Sequence, residues 1–118
     1  MKMNYITIMV RDINRSLPFY QQLVGLTVAR RFNPGSCEIA FLENAPGETM
    51  VELVQLDGCE YASVKGLVIS FHAGESLDAV WETARSMGYA PGDICNAGPK
   101  PRYFQVADPD GVMVEFIV

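Results

Sequence analysis

Apolar and polar residues alternate at the start of the chain, and this alternation predicts a strand from Tyr5 to Val10. One face of that strand carries the isoleucines and the valine, and we expect this face to meet the core. A helix is predicted to follow, with Ser16 as its N-cap, Pro18 in its first turn and Gly25 at its end. Three more strands are predicted in the rest of the first half: Thr27 to Phe32, Cys37 to Leu42 and Thr49 to Leu56.

The second half repeats this order of elements. Leu67 to Ala73 predicts a strand, and Ser76 is the predicted N-cap of a helix that ends at Gly88. Three further strands are predicted after this helix: Tyr89 to Ile94, Arg102 to Val106 and Val112 to Val118. Each half therefore reads as βαβββ, which predicts an α+β fold with two mixed sheets, each covering a helix on one face.

The two halves are related by a fixed offset of 63 residues. Met50-Val51-Glu52-Leu53 returns as Met113-Val114-Glu115-Phe116, and Phe41 returns as Phe104. The offset makes Glu52 and Glu115 counterparts, each inside an otherwise apolar strand. Because a carboxylate in that setting costs free energy unless it faces water, a partner or a ligand, the symmetric pair points to a cavity.

The length of 118 residues is enough for one domain. We predict a single domain over residues 1–118, made of modules at 1–56 and 66–118. The joining segment from Asp57 to Lys65 is short and has no low-complexity character, so the modules are expected to pack together. The sheet faces that do not cover a helix are then expected to line a cleft.

The charge of the chain argues against a nucleic-acid partner. Lysine and arginine number 9 against 14 aspartates and glutamates, the net charge is −5, and the basic residues are scattered. No apolar run approaches the length of a membrane span, so we predict a soluble cytoplasmic protein with no membrane partner. Cys37, Cys59 and Cys95 are far apart in the sequence and are expected to be reduced, structural thiols.

Two motifs are typical of a known family. The first is Val10-Arg11-Asp12 followed by Ser16, Phe19-Tyr20 and Val24-Gly25-Leu26, and the second is Asp108-Pro109-Asp110-Gly111 followed by Val114-Glu115-Phe116. On these residues the chain resembles the vicinal oxygen chelate superfamily, which includes glyoxalase I, bleomycin resistance proteins and extradiol dioxygenases. The resemblance covers essentially the whole chain and implies the same fold of two βαβββ modules around a cleft. Because that fold hosts isomerases, dioxygenases and metal-free drug-binding proteins, it does not decide the function.

The resemblance also implies four places for metal ligands, on the first and last strand of each module. Carried over by position, these places are Tyr5, Glu52, Val68 and Glu115. The metalloenzymes of the family usually have histidine at the first and third places, where this chain has a phenol and an aliphatic side chain. Because a catalytic Zn²⁺ or Fe²⁺ site needs about three protein ligands, we predict no cofactor. A divalent metal held by Glu52 and Glu115 is the alternative.

The candidate binding site is built around these two glutamates. The apolar wall expected for an organic ligand consists of Tyr5, Met9, Met50, Val68 and Met113. His72 is predicted to share the face of Val68 and is, with Glu115, the acid/base candidate, although a solvent-facing histidine is the simpler interpretation. Arg102 and Lys100 lie in the loop beside the cleft mouth in family members, and Arg102 is a ligand-binding candidate for an anionic group. A solvated loop charge is the simpler interpretation of both.

Three functions fit these observations. We favour a metal-free binding protein of the bleomycin-resistance type, whose acidic cleft holds a small organic molecule, cationic in the sharper version of the hypothesis. The second function is a lyase, isomerase or dioxygenase that acts through Glu52, Glu115 and His72 or through an atypical metal site. The third is an interaction module without a ligand. We also expect a homodimer, because relatives of this length usually pair or exchange modules to complete their clefts.

Overall fold

The computed structural model describes residues 1–58, 65–74 and 76–118. The chain divides into two compact units, Met1–Ala62 and Ser63–Val118. Each unit contains helical structure and a mixed sheet, which confirms the predicted α+β class. Cys59 and the middle of the predicted linker, residues 59–64, lie outside the described residues. The single-domain interpretation of residues 1–118 stays a prediction.

The first unit contains four strands. Its elements are β1 (Tyr5–Met9), α1 (Ile13–Pro18), a π-helical turn (Phe19–Leu23), β2 (Thr27–Phe32), β3 (Cys37–Glu43) and β4 (Met50–Leu56). The sheet has the order β1-β4-β3-β2, in which β1 runs parallel to β4 and the other pairs are antiparallel. The first and last strands of the module therefore lie side by side.

Helix α1 begins earlier than predicted. Asp12 is its N-cap, and the Oδ1 atom of Asp12 accepts a hydrogen bond from the backbone N–H of Asn14 at 2.9 Å. The prediction of Ser16 as the N-cap is wrong because Asp12 already caps the first turn, and Ser16 is fully buried inside the helix. With this earlier start, Pro18 is the last residue of α1 and not part of its first turn. The π-helical turn follows, and Gly25, with a φ of 85°, ends the helical segment as predicted.

The second unit contains three strands. Its elements are β5 (Val68–His72), α2 (Leu77–Ser86), β6 (Tyr103–Ala107) and β7 (Met113–Ile117). The sheet has the order β5-β7-β6, in which β5 runs parallel to β7 and β6 is antiparallel to β7. Ser76 caps α2 as predicted, because its hydroxyl accepts a hydrogen bond from the Ala79 N–H at 3.2 Å. No helix within the described ranges has the length and apolar character of a membrane span.

The predicted strand from Tyr89 to Ile94 is wrong. Residues 89–94 are not in a strand, and the second sheet has three strands among the described residues where four were expected. The segment still follows β6, since the Gly92 N–H donates to the carbonyl of Gln105 at 2.9 Å and the indole N–H of Trp81 donates to the carbonyl of Gly92 at 2.8 Å. Pro91 offers no N–H to a ladder and Gly92 has no side chain to pack, so a regular strand is not stabilised there.

The first sheet packs one face against α1. The Oε1 atom of Gln55 accepts a hydrogen bond from the Ile13 N–H of α1 at 2.8 Å, and Val51 and Leu53 lie buried on the same side of β4. Because side chains alternate along a strand, Glu52 lies on the opposite side. We call the side of each sheet away from its helix the helix-distal face.

The second sheet is arranged in the same way. The Arg102 guanidinium contacts Asp78 of α2, and Phe104, two residues further along, lies on the same side of β6. Phe104 is paired with Phe116 of β7, so Phe116 also faces the helix. Glu115 therefore lies on the helix-distal face of the second unit.

Candidate functional site

Each glutamate lies beside a hydroxyl side chain on the neighbouring parallel strand. Thr7 is paired with Glu52, and its hydroxyl donates to Glu52 Oε1 at 2.5 Å. Ser70 is paired with Glu115, and its hydroxyl donates to Glu115 Oε1 at 3.0 Å. Neither hydroxyl is among the site residues predicted from the sequence, although the offset that relates the glutamates also relates Thr7 to Ser70. The duplicated feature is thus a hydroxyl–carboxylate pair on each helix-distal face.

Glu115 is buried, with 3% of its surface exposed, and every part of its carboxylate is engaged. Besides Ser70, the Lys100 ammonium donates to its Oε2 atom at 2.5 Å, and the Gln105 amide donates to the same atom at 3.3 Å. Burial raises the pKa of Glu115, but the hydrogen bonds from Lys100, Ser70 and Gln105 outweigh burial and hold that pKa below its usual value. Glu115 is therefore an ionised carboxylate paired with a lysine.

Lys100 is held from a second side by an aromatic ring. Its Nζ atom lies 4.4 Å from the centroid of the Tyr103 ring, while half of the lysine side chain is exposed. A hydrogen bond and an electrostatic interaction with the Cys95 side chain raise the pKa of the Tyr103 hydroxyl above its ordinary value. From the sequence a solvated loop charge is the simpler interpretation of Lys100, and only the fold places its ammonium on Glu115.

Glu52 has a much simpler environment. It is half-buried, and within the described residues Thr7 is the only hydrogen-bond donor to its carboxylate. On the neighbouring antiparallel strand β3, Glu52 is paired with Phe41. The Phe41 ring makes an edge contact with the exposed Tyr5 ring, with 5.3 Å between the ring centroids. Arg30 lies over the same Phe41 ring, with its Cζ atom 4.9 Å from the centroid. The cross-strand neighbours of Glu52 are therefore Thr7 on β1 and Phe41 on β3.

The two antiparallel strand pairs have different registers relative to the 63-residue offset. Phe41 is paired with Glu52, whereas its sequence counterpart Phe104 is paired with Phe116 on the helix side. The residue that occupies the place of Phe41 in the second unit is Gln105. This one-residue difference gives Glu115 an amide donor where Glu52 has a phenyl ring.

The residues predicted to form the apolar wall lie on the helix-distal faces. Tyr5 is paired with Met50, Met9 lies two residues beyond Thr7, and Val68 is paired with Met113 in the second unit. Tyr5 and Val68 are exposed. The structure thus places apolar side chains on the same face as each carboxylate, while their role as ligand contacts stays a prediction.

His72 and Arg102 lie outside the hydrogen-bonded group around Glu115. His72 is exposed, shares the face of Ser70, and its Nδ1 atom accepts a hydrogen bond from the Gly74 N–H at 3.0 Å. The Arg102 guanidinium contacts both carboxylate oxygens of Asp78 at 3.3 Å on the helix side of the sheet. The acid/base role of His72 and the ligand-binding role of Arg102 stay predictions.

The residues at the four implied metal places do not suit a divalent ion within either unit. Among the described residues there is no group of three or more His, Cys, Asp or Glu side chains that could hold a metal ion. Val68 has no donor atom, and the carboxylate of Glu115 is engaged by an ammonium, a hydroxyl and an amide. A metal that uses both Glu52 and Glu115 stays a prediction.

A polar hollow of about 290 Å³ in the first unit is a separate feature. Its lining includes Asp12, Glu38 and Gln55, and these side chains already have structural partners. Asp12 caps α1, Glu38 pairs with Arg31 at 3.0 Å and Gln55 holds the start of α1. The hollow therefore belongs to the packing of the helix and not to the carboxylate sites.

The chain matches the model of the Glyoxalase/Bleomycin resistance protein/Dioxygenase superfamily over residues 2–116. It is similar to the protein YwbC of Bacillus subtilis, with 31% identity over 121 residues that span 98% of this chain and 95% of that protein. It is also similar to the lactoylglutathione lyase of Haemophilus influenzae, with 28% identity over 129 residues that span 99% of this chain and 92% of that protein.

Solved structures share the fold. The antibiotic binding protein TnmS3 from Streptomyces sp. CB03234 superposes with a TM-score of 0.77, at 19% sequence identity, over 99% of this chain and 94% of that one. At this level of identity the likeness shows the fold alone.

Proposed function

The chain belongs to the Glyoxalase/Bleomycin resistance protein/Dioxygenase superfamily, and on that premise we propose that it is a small-molecule-binding protein that works without a divalent metal. Its ligand is an organic molecule with a positively charged group, and Glu52 receives that charge. The fold shared with the antibiotic binding protein TnmS3 supports this class of function. Tyr5 and Met9, on the same helix-distal face as Glu52, are the proposed contacts for the rest of the ligand, and the ligand-binding roles of Val68 and Met113 stay predictions.

The observation that carries the proposal is the difference between the two glutamates. The charge of Glu115 is balanced by Lys100, whereas Glu52 receives one hydroxyl hydrogen bond among the described residues. The Glu52 carboxylate and the exposed Tyr5 ring on the same helix-distal face suit an organic cation, because ion pairing and cation–π attraction act on the same charge. Charged hydrogen bonds contribute about 1.5–3 kcal/mol, which corresponds to roughly tenfold to hundredfold in affinity.

The test is a thermal-stabilisation screen of the intact chain with pairs of organic amines and their neutral isosteres. Ligands that bind only the folded protein raise its melting temperature, and the cationic member of a pair should do so more strongly. Glu52→Gln should weaken binding of the amine by about tenfold or more and leave the neutral isostere unaffected. Glu48→Gln, which changes an exposed glutamate in the same unit, is the matched control. Equal amine binding by the Glu52→Gln variant and the unchanged protein would contradict the proposal.

A second candidate function is a lyase, isomerase or dioxygenase activity. The similarity to the lactoylglutathione lyase of Haemophilus influenzae, which spans nearly all of both chains, favours it. Such an enzyme would act through Glu52, Glu115 and His72 or through an atypical metal site. Assays of lactoylglutathione formation and breakdown, with and without added Ni²⁺ or Zn²⁺, decide between the candidates. Turnover that disappears in Glu52→Gln and His72→Gln would establish the enzyme and displace the binding protein.

The homodimer is part of the proposal because the family resemblance motivates it. Light scattering of the intact chain at micromolar concentration measures the mass directly, and a monomer would contradict it. The cytoplasmic location stays a prediction.

A further inference from the structure

We infer that Lys100 is a built-in cation that takes the place of a metal ion on Glu115 and keeps this carboxylate from binding one. It deepens the metal-free part of the proposed function and rests on that part, but it does not require any ligand at Glu52. It is carried by the contacts of Lys100, Glu115, Ser70 and Gln105.

The first step is charge balance. Glu115 is 3% exposed, and a buried carboxylate is costly unless a cation and hydrogen-bond donors accompany it. The Lys100 ammonium supplies the cation at 2.5 Å from Oε2, and Ser70 and Gln105 supply the remaining donors. The position beside Glu115 Oε2 is therefore already filled by a positive charge.

The second step is competition for the same oxygens. A divalent ion would need lone pairs on Glu115, and the Oε2 atom now accepts hydrogen bonds from two donors while Oε1 accepts one. An ammonium has no lone pair of its own, so Lys100 cannot join a coordination sphere, and its charge repels an approaching ion. The Tyr103 ring, 4.4 Å from Nζ, helps to keep the ammonium in this position.

The third step concerns what remains if Lys100 is shortened. The remaining group has the carboxylate of Glu115, the hydroxyl of Ser70 and the amide of Gln105, which can turn its oxygen toward a cation. These are oxygen donors of the kind that Mg²⁺, Ca²⁺ and Mn²⁺ accept together with water molecules. A buried carboxylate without its lysine also attracts any small cation that can replace the lost charge.

The experiment measures Mn²⁺ binding to the intact chain by electron paramagnetic resonance of free Mn²⁺. Lys100→Ala should bind one Mn²⁺ about tenfold more tightly than the unchanged protein, because the buried charge is no longer compensated. The double variant Lys100→Ala with Glu115→Gln should lose that gain. Lys65→Ala, which shortens an exposed lysine in the same unit, should behave like the unchanged protein.

Circular dichroism establishes that each variant is folded before Mn²⁺ is added. If Lys100→Ala does not fold, Lys100→Gln replaces it, since glutamine removes the charge and keeps a donor for Oε2. Equal Mn²⁺ affinity of the unchanged protein and a folded Lys100 variant would overturn the inference. A Mn²⁺ site in the unchanged protein that Glu115→Gln abolishes would also overturn it. Neither result would bear on amine binding at Glu52, which the thermal-stabilisation screen tests by itself, whereas a Mn²⁺ site in the unchanged protein would also contradict the metal-free part of the proposed function.

Discussion

Replacing Lys100 with methionine should lower the free energy of unfolding by about 2 kcal/mol at pH 7. Methionine keeps much of the apolar length of lysine and removes the ammonium, so the change isolates the contact with Glu115. Hydrogen bonds to charged groups contribute about 1.5–3 kcal/mol, and the loss of one partner of a buried ion pair costs about 3–5 kcal/mol. Because half of the Lys100 side chain is exposed, the lower range applies. For a chain of this length the corresponding fall in melting temperature is about 8 °C.

The loss of stability should depend on pH through Glu115. The pKa of Glu115 lies below its usual value in the folded protein, so its ionised form adds stability above the usual glutamate pKa of about 4.3, and this contribution is lost as the pH falls through the folded pKa. Without Lys100, burial is expected to raise the pKa of Glu115 in the variant. The difference in stability between the variant and the unchanged protein should therefore be largest at neutral pH and shrink in acid.

Urea denaturation followed by circular dichroism between pH 3 and pH 8 measures both effects, provided that the slope with denaturant is unchanged. Lys65→Met is the matched control, since Lys65 is an exposed lysine in the same unit. A loss below about 0.5 kcal/mol at pH 7 is the size of an ordinary surface substitution and would refute the claim that Lys100 compensates a buried charge. A full loss that does not vary with pH would refute the assignment of the effect to Glu115.

Three further predictions concern stability. Asp108→Ala should cost about 2 kcal/mol, because the buried Asp108 carboxylate accepts a hydrogen bond at 2.9 Å from the N–H of Val112, which is left unpaired in the variant. Urea denaturation measures this loss, and an unchanged midpoint would contradict it. Glu52→Gln should change the free energy of unfolding by less than about 0.5 kcal/mol, since Glu52 is half-buried, and a loss comparable to that of Asp108→Ala would contradict this. Ser76→Ala should cost about 1 kcal/mol through the lost cap of α2, while Ser76→Gly, measured in the same way, should cost less.

Local sequence signals predicted a helix start correctly where only one nearby residue could act as the N-cap. Ser76 is the N-cap of α2 because it directly precedes the first apolar residue of the helix, and its hydroxyl reaches the Ala79 N–H. The N-cap prediction at Ser16 failed because Asp12, four residues earlier, already caps the helix. The strand prediction at residues 89–94 failed because strand formation depends on a neighbouring ladder, which Pro91 cannot join as a donor.

The sequence by itself determined the α+β class, the family and the two glutamates as counterparts, because all of these depend on residue types at fixed spacings. Only the tertiary structure decided that the glutamates differ. The loop before β6 brings the Lys100 ammonium into contact with Glu115, and the register of β6 against β7 pairs Gln105 with the same glutamate. The register of β3 against β4 pairs Phe41 with Glu52. Strand register and loop path bring together residues that are distant in sequence, and no local pattern of side chains specifies either of them. The balanced charge of Glu115 and the aromatic cross-strand neighbour of Glu52 are therefore properties of the fold.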